Sequence, residues 1–178
     1  VSFLVFLLLT ACAHYQPGEV PSSIQIGSVY YTQFTLQYEK NRHRTTNYRK
    51  GIMLPVNSEV TLVSFDKKKI IVRLLPSQQE LIIENVAKHT NEDSIQAFHK
   101  MFAETPRDLS RFSKKVRGMI ERGEVEKGMS KDAVLISLGD PPKIGTPSLE
   151  SNHWRYWANR FNTFIVHFDK GRVVRIQQ

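Results

Sequence analysis

Cysteine is nearly absent. The 178 residues hold one, Cys12, so no disulfide within the chain braces the fold. Acidic residues are also few against basic ones, 17 to 25, and the formal charge of +8 turns the molecule toward anionic partners. Lipid headgroups, acidic glycans, nucleic acid and acidic protein faces all answer that charge. No apolar run reaches the roughly 20 residues that a membrane-spanning helix needs. The common catalytic motifs are missing too. There is no HExxH helix, no GxSxG elbow and no glycine-rich phosphate loop. The six histidines are scattered, with no pair at ligand spacing on one helix face. The expectation is a chain with no catalytic residue, no metal and no cofactor. What is plentiful is apolar side chain, 40% of residues, which supplies a packed core and argues against global disorder.

Residues 1–9 read VSFLVFLLL, the size of the apolar core of a signal peptide. The run ends in Leu9-Thr10-Ala11-Cys12, which resembles the lipobox of bacterial lipoproteins. That resemblance implies a leader over residues 1–11 and an acylated Cys12 at the start of the mature chain. Acyl chains contribute about 0.8 kcal/mol per buried methylene, and two or more of them hold a protein stably at a bilayer. Ala13 rather than aspartate after the cysteine implies sorting to the outer membrane, facing the periplasm. Export makes nucleic acid an improbable partner. Residues 12–28 carry two prolines and two glycines without periodicity and read as a tether.

Strand periodicity governs residues 29–88. Tyr30, Thr32, Phe34, Leu36 and Tyr38 alternate with a more polar face, a half-buried strand. Further strands are expected over 45–54, with a bend or bulge at Gly51, then over 59–65, 69–75 and 80–84. Five short strands predict a small antiparallel β domain, a meander or small barrel. Residues 89–105 shift to helical spacing, capped by Thr90 or Asn91, and form a linking helix. Residues 106–178 read as helix, helix and three antiparallel strands. The first helix, 106–122, gathers Leu109, Phe112, Val116, Met119 and Ile120 on one side. Arg107, Arg111, Lys114 and Lys115 gather on the other. The second begins at Ser130, an N-cap, and ends at Gly139. Strands follow over 153–158, 163–168 and 172–177, the last two joined by Asp169-Lys170-Gly171. The fold class expected is α+β: the small β domain, then a two-layer ααβββ domain.

The second part carries a motif series. Gly128-Met129-Ser130-Lys131-Asp132-Ala133-Val134 is followed by Leu138-Gly139-Asp140-Pro141-Pro142, Trp154-Arg155-Tyr156 and Val166-His167-Phe168-Asp169. In that order and spacing it resembles the SmpA/OmlA (BamE-like) family over residues 109–176. The resemblance implies an outer-membrane lipoprotein without catalysis or cofactor that supports envelope assembly through protein and lipid contacts. Unlike the short members of that family, this chain places about sixty residues of β structure ahead of the matching part.

Three functions are open to such a chain. One is a scaffold for envelope proteins. Another is a tethered binder of peptidoglycan or anionic lipid through the β domain. The third is an inhibitor-like cap on an enzyme. The candidate interface residues are Arg107, Arg111, Lys114, Lys115, Trp154, Tyr156, Arg160 and Phe161. The basic face is either a solvated surface or a docking stripe, since no acid on the stripe of Arg107, Arg111 and Lys114 neutralises them. Trp154 and Tyr156 are either core or interface anchors. Phe161, beside Arg160 in a turn, either folds onto its hairpin or inserts into a partner.

Overall fold

Period-two alternation becomes burial in the larger sheet. The computed structural model describes residues 20–178. The leader, Cys12 and the first part of the tether lie outside the described residues. Strands β1 (Val29–Thr32), β5 (Glu59–Phe65), β6 (Lys69–Leu74) and β7 (Glu80–Glu84) supply the sheet's centre. Their Tyr30, Val60, Leu62, Val72, Leu81 and Ile83 are each at most 2% exposed. Two more strands complete the order β3-β7-β6-β5-β1-β8, with β3 at Arg42–Arg44 and β8 at Phe102–Ala103. Neighbours run antiparallel except β3, which lies parallel to β7 with His43 opposite Ile83.

Before β3 the chain passes through β2 (Leu36–Tyr38) and then Lys40 and Asn41, both in the left-handed backbone region. β2 pairs with β4 (Ile52–Leu54) rather than with the larger sheet. Gly51 permits that crossing, because a Cβ there would stand 2.2 Å from the Tyr38 carbonyl oxygen.

Helix α1 (Ala87–Thr90) leads into α2 (Ser94–Met101). Asp93 caps α2 in a reciprocal box with Gln96, so the helix starts later than Thr90 or Asn91 would have it. Its Phe98 meets the Tyr30 ring edge-on at 5.0 Å and closes the first core. Helices α3 (Lys114–Glu121) and α4 (Lys131–Leu138) then pack on a sheet of order β11-β10-β9. Its strands are β9 (His153–Trp157), β10 (Thr163–Asp169) and β11 (Arg172–Gln177). Ile120, Val134, Ile136, Trp154, Tyr156 and Val166 fill this second core.

The expected fold class is overturned. The molecule is mostly β, with eleven strands and four short helices among the described residues, built around a curled six-stranded mixed sheet. It is not an α+β assembly of a meander or small barrel and a two-layer BamE-like ααβββ domain. The physical reasons are local. The helix expected over 106–122 starts only at Lys114, because the Asp108 carboxylate accepts the Ser110 amide and Ser113 caps the later start. The helix expected over 89–105 yields its end to the sheet as β8, with Phe102 opposite Thr32. The strand expected over 45–54 shrinks to β4, and the unforeseen β3 makes the sheet mixed. No helix among the described residues is long and apolar enough to cross a membrane.

Candidate functional site

A polar seam joins the two cores, and it is built around Arg49. The guanidinium donates to the Thr35 carbonyl at 3.0 Å, to Leu138 at 3.5 Å and to Gly123 at 3.4 Å. Leu138 ends α4 and Gly123 follows α3, so the cation sits where two helices present free carbonyls and the negative end of their dipoles. Burial lowers the Arg49 pKa to about 10, so the group keeps its charge at neutral pH. Gly123 leaves room for it: a Cβ there would come 2.3 Å from Arg49 Nη2. Thr35 donates its hydroxyl to Ile120 at 2.7 Å, and its amide donates to Ile136 at 3.0 Å. Tyr156 donates to the Gly139 carbonyl at 3.0 Å, and burial raises its pKa well above the ordinary phenol value.

Where β3, α1 and the β9–β10 turn meet, a groove of about 560 Å³ opens. Arg44 at the end of β3, Lys88 of α1 and Arg160 in the β9–β10 turn bring cations to it, and His89 of α1 adds an imidazole. Tyr48 and Trp157 supply aromatic walls. Glu84 is the one carboxylate among the lining residues, and it is engaged by Arg42 at 3.0 Å and Arg44 at 3.3 Å. The Arg42 hydrogen bond, more than the nearby charges, holds the Glu84 carboxyl below its usual range. Lys88 and Arg160 meet no carboxylate among the described residues. The imidazole of His89 is pushed below its ordinary pKa by burial first and by the charges of Lys88 and Arg44 second. Its Nδ1 lies 3.1 Å from the Thr46 hydroxyl. Gly145 presses on the Trp157 ring, 2.6 Å from where a Cβ would stand, which fixes that wall. Cations around aromatic faces suit an anionic ligand with an apolar side.

The candidate residues read from the sequence scatter. Arg107 precedes α3, and its backbone is clamped by Asn57, whose Oδ1 accepts its amide at 2.6 Å. Arg111, also ahead of the helix, pairs with Asp132 of α4 at 2.5 Å, and Lys115 pairs with Glu126 at 2.5 Å. The acids thus come from outside the stripe; of its four cations Arg107 and Lys114 meet no carboxylate among the described residues, and of these two Lys114 is the exposed one. Trp154 and Tyr156 are core residues, at 1% and 0% exposure. Phe161 stands 84% exposed with the Arg160 guanidinium 5.6 Å from its ring centre. Of the eight, only Arg160 lines the cationic groove. Arg44, Tyr48, Lys88, His89 and Trp157 went unread because each belongs to a different segment and no local spacing links them.

No known protein family, curated protein or solved structure matches the chain.

Proposed function

We propose that this protein is a non-enzymatic binding module, held by an acylated Cys12 at the outer membrane and facing the periplasm, that recognises an anionic glycan such as peptidoglycan. The observation that carries this reading is the groove of Arg44, Lys88, His89 and Arg160 between Tyr48 and Trp157. Aromatic faces take the C–H face of a sugar ring, and the unpaired cations take its carboxylates. The net charge of +8 adds long-range attraction to an anionic polymer. The lipobox resemblance supports the compartment.

The test is co-sedimentation of the full chain with purified peptidoglycan. Wild type pellets with the polymer and is released by added salt. Lys88→Glu with Arg160→Glu weakens binding about tenfold, the scale expected for two contacts of under 1 kcal/mol each. A wild-type protein that stays in the supernatant at low salt removes this reading.

The exposed Phe161 favours a second reading, a scaffold for envelope proteins. Crosslinking in intact envelopes would then enrich a protein partner with wild type and lose it with Phe161→Ser, with peptidoglycan binding unchanged.

A further inference from the structure

A cavity of about 680 Å³ is lined by residues of β10, β11, the end of α4 and the chain after α3. It shares no lining residue with the cationic groove. Val125, Leu138, Phe161, Phe164 and Ile176 give it apolar walls. Phe164 is fixed by stacking on Tyr156 at 5.5 Å, while Phe161 stands open to solvent. Among the described residues that line it, Arg49 carries the one charged side chain.

That cation has an unfilled edge. A guanidinium carries five N–H groups. Nη1 gives both of its hydrogens, to Thr35 and Leu138, and Nη2 gives one to Gly123 at a long 3.4 Å. The Nε–H and the second Nη2 hydrogen meet no acceptor among the described residues. Nε and Nη2 together form the edge of the fork that matches the two oxygens of a carboxylate. Nor is this edge sealed. Arg107 Nε and Trp154 Nε1 are unpartnered and shut off from solvent, whereas Arg49 Nε is unpartnered and reached by it. Arg49 has no carboxylate within ion-pair distance among the described residues. The carbonyls around it solvate the charge without neutralising it, and a desolvated charge without a counter-charge is costly.

We infer that this cavity binds an alkyl monocarboxylate, a fatty acid, with its head on the Nε–Nη2 edge of Arg49 and its chain along Phe161, Phe164 and Ile176. One cation answers one negative charge, and the apolar walls suit a hydrocarbon tail rather than a polyanion. The volume lies within the range of small-molecule sites. The charged head supplies the counter-charge that the fold leaves out. The exposed ring of Phe161 gains an apolar neighbour when the tail is in place. The site does not depend on the reading of the cationic groove.

The test uses the full chain in a neutral detergent, with ¹⁵N-labelled arginine, titrated with sodium octanoate and with 1-octanol. The Arg49 Nε resonance is the one missing from the spectrum of Arg49→Lys. Octanoate should move it saturably, since a carboxylate arriving at the N–H changes its shielding. Octanol, with the same tail and no charge, should bind at least tenfold more weakly, the scale of a lost charged hydrogen bond. Both ligands meet the same micelles, so their difference reports the head group. Ile176→Glu places a carboxylate on the cavity wall at a part-exposed position, so the variant should melt close to wild type and bind octanoate about tenfold more weakly. Ile26→Glu makes the same charge change at an exposed residue outside the lining and should leave the titration unchanged. An Arg49 resonance unmoved by octanoate overturns the inference. So does equal binding of octanol, or a titration that Ile176→Glu weakens no more than Ile26→Glu does.

Discussion

His43 is 1% exposed, and its lowered pKa of about 4 makes the protein acid-sensitive. Burial is the main cause and the nearby Arg49 charge adds to it, against the opposing hydrogen bond to Gln37. In the unfolded chain the imidazole titrates near 6.5. The unfolded state therefore binds more protons between these values. This contribution to stability is complete above pH 6.5 and is lost as pH falls through 4, about 3 kcal/mol in all. Urea unfolding at neutral and mildly acidic pH should show that slope in wild type and a shallower one in His43→Gln. Equal slopes would place the sensitivity in another group. Aromatic residues of one hairpin should respond in opposite ways to truncation. Trp154→Ala empties a core site in contact with Phe168 at 4.6 Å and should cost about 3–5 kcal/mol in chemical denaturation. Phe161→Ser touches an exposed ring and should shift stability by less than about 0.5 kcal/mol.

At the scale of elements, α4 shows how a local signal becomes structure. The Ser130 side chain accepts the Ala133 amide at 3.2 Å, and Ser130→Ala should lower stability by about 1 kcal/mol, measured by thermal melting. A change near zero would mean that tertiary packing alone holds the helix start. Cap, apolar stripe and Gly139 are all contained in ten residues, so this helix was legible. The β10–β11 hairpin was legible for the same reason: Lys170 and Gly171, both at positive φ, make the two-residue turn that right-twisted strands prefer. Strands β5, β6 and β7 were legible from alternation between turn residues. Their partners were not, because alternation says which face is buried and nothing about which strand lies alongside. β3 hid within Arg42-His43-Arg44, where two exposed cations flank a buried histidine. The segment before α3 failed in the opposite way. Its apolar spacing fits a helix, but the Asp108 turn and the Asn57 clamp on Arg107 hold the backbone elsewhere. The candidate site was read least, since its cations gather only once β3, α1 and the β9–β10 turn have met.

Over the whole molecule, the seam decides whether the two cores act together. Thr35, Asn47 and Arg49 come from the first half, and the carbonyls of Ile120, Gly123 and Leu138 that they satisfy come from the second. Both tryptophans, Trp154 and Trp157, lie in β9, so their fluorescence reports the second core. Far-ultraviolet circular dichroism reports the larger sheet as well. In wild type the two signals should fall in one transition. Arg49→Met strands two or more carbonyl groups without donors and should cost about 2–3 kcal/mol, with the two transitions drawing apart. Coincident curves in that variant would show that apolar contact alone couples the halves.

The seam also sets how the gene can be divided. A polypeptide ending near residue 104 would keep the Arg49 charge and lose the helix ends that cradle it. The complementary piece would keep those ends and lose their cation. Each alone would resist refolding. Mixed in equal amounts, the two should reassemble without a covalent link, because each carries the groups the other lacks.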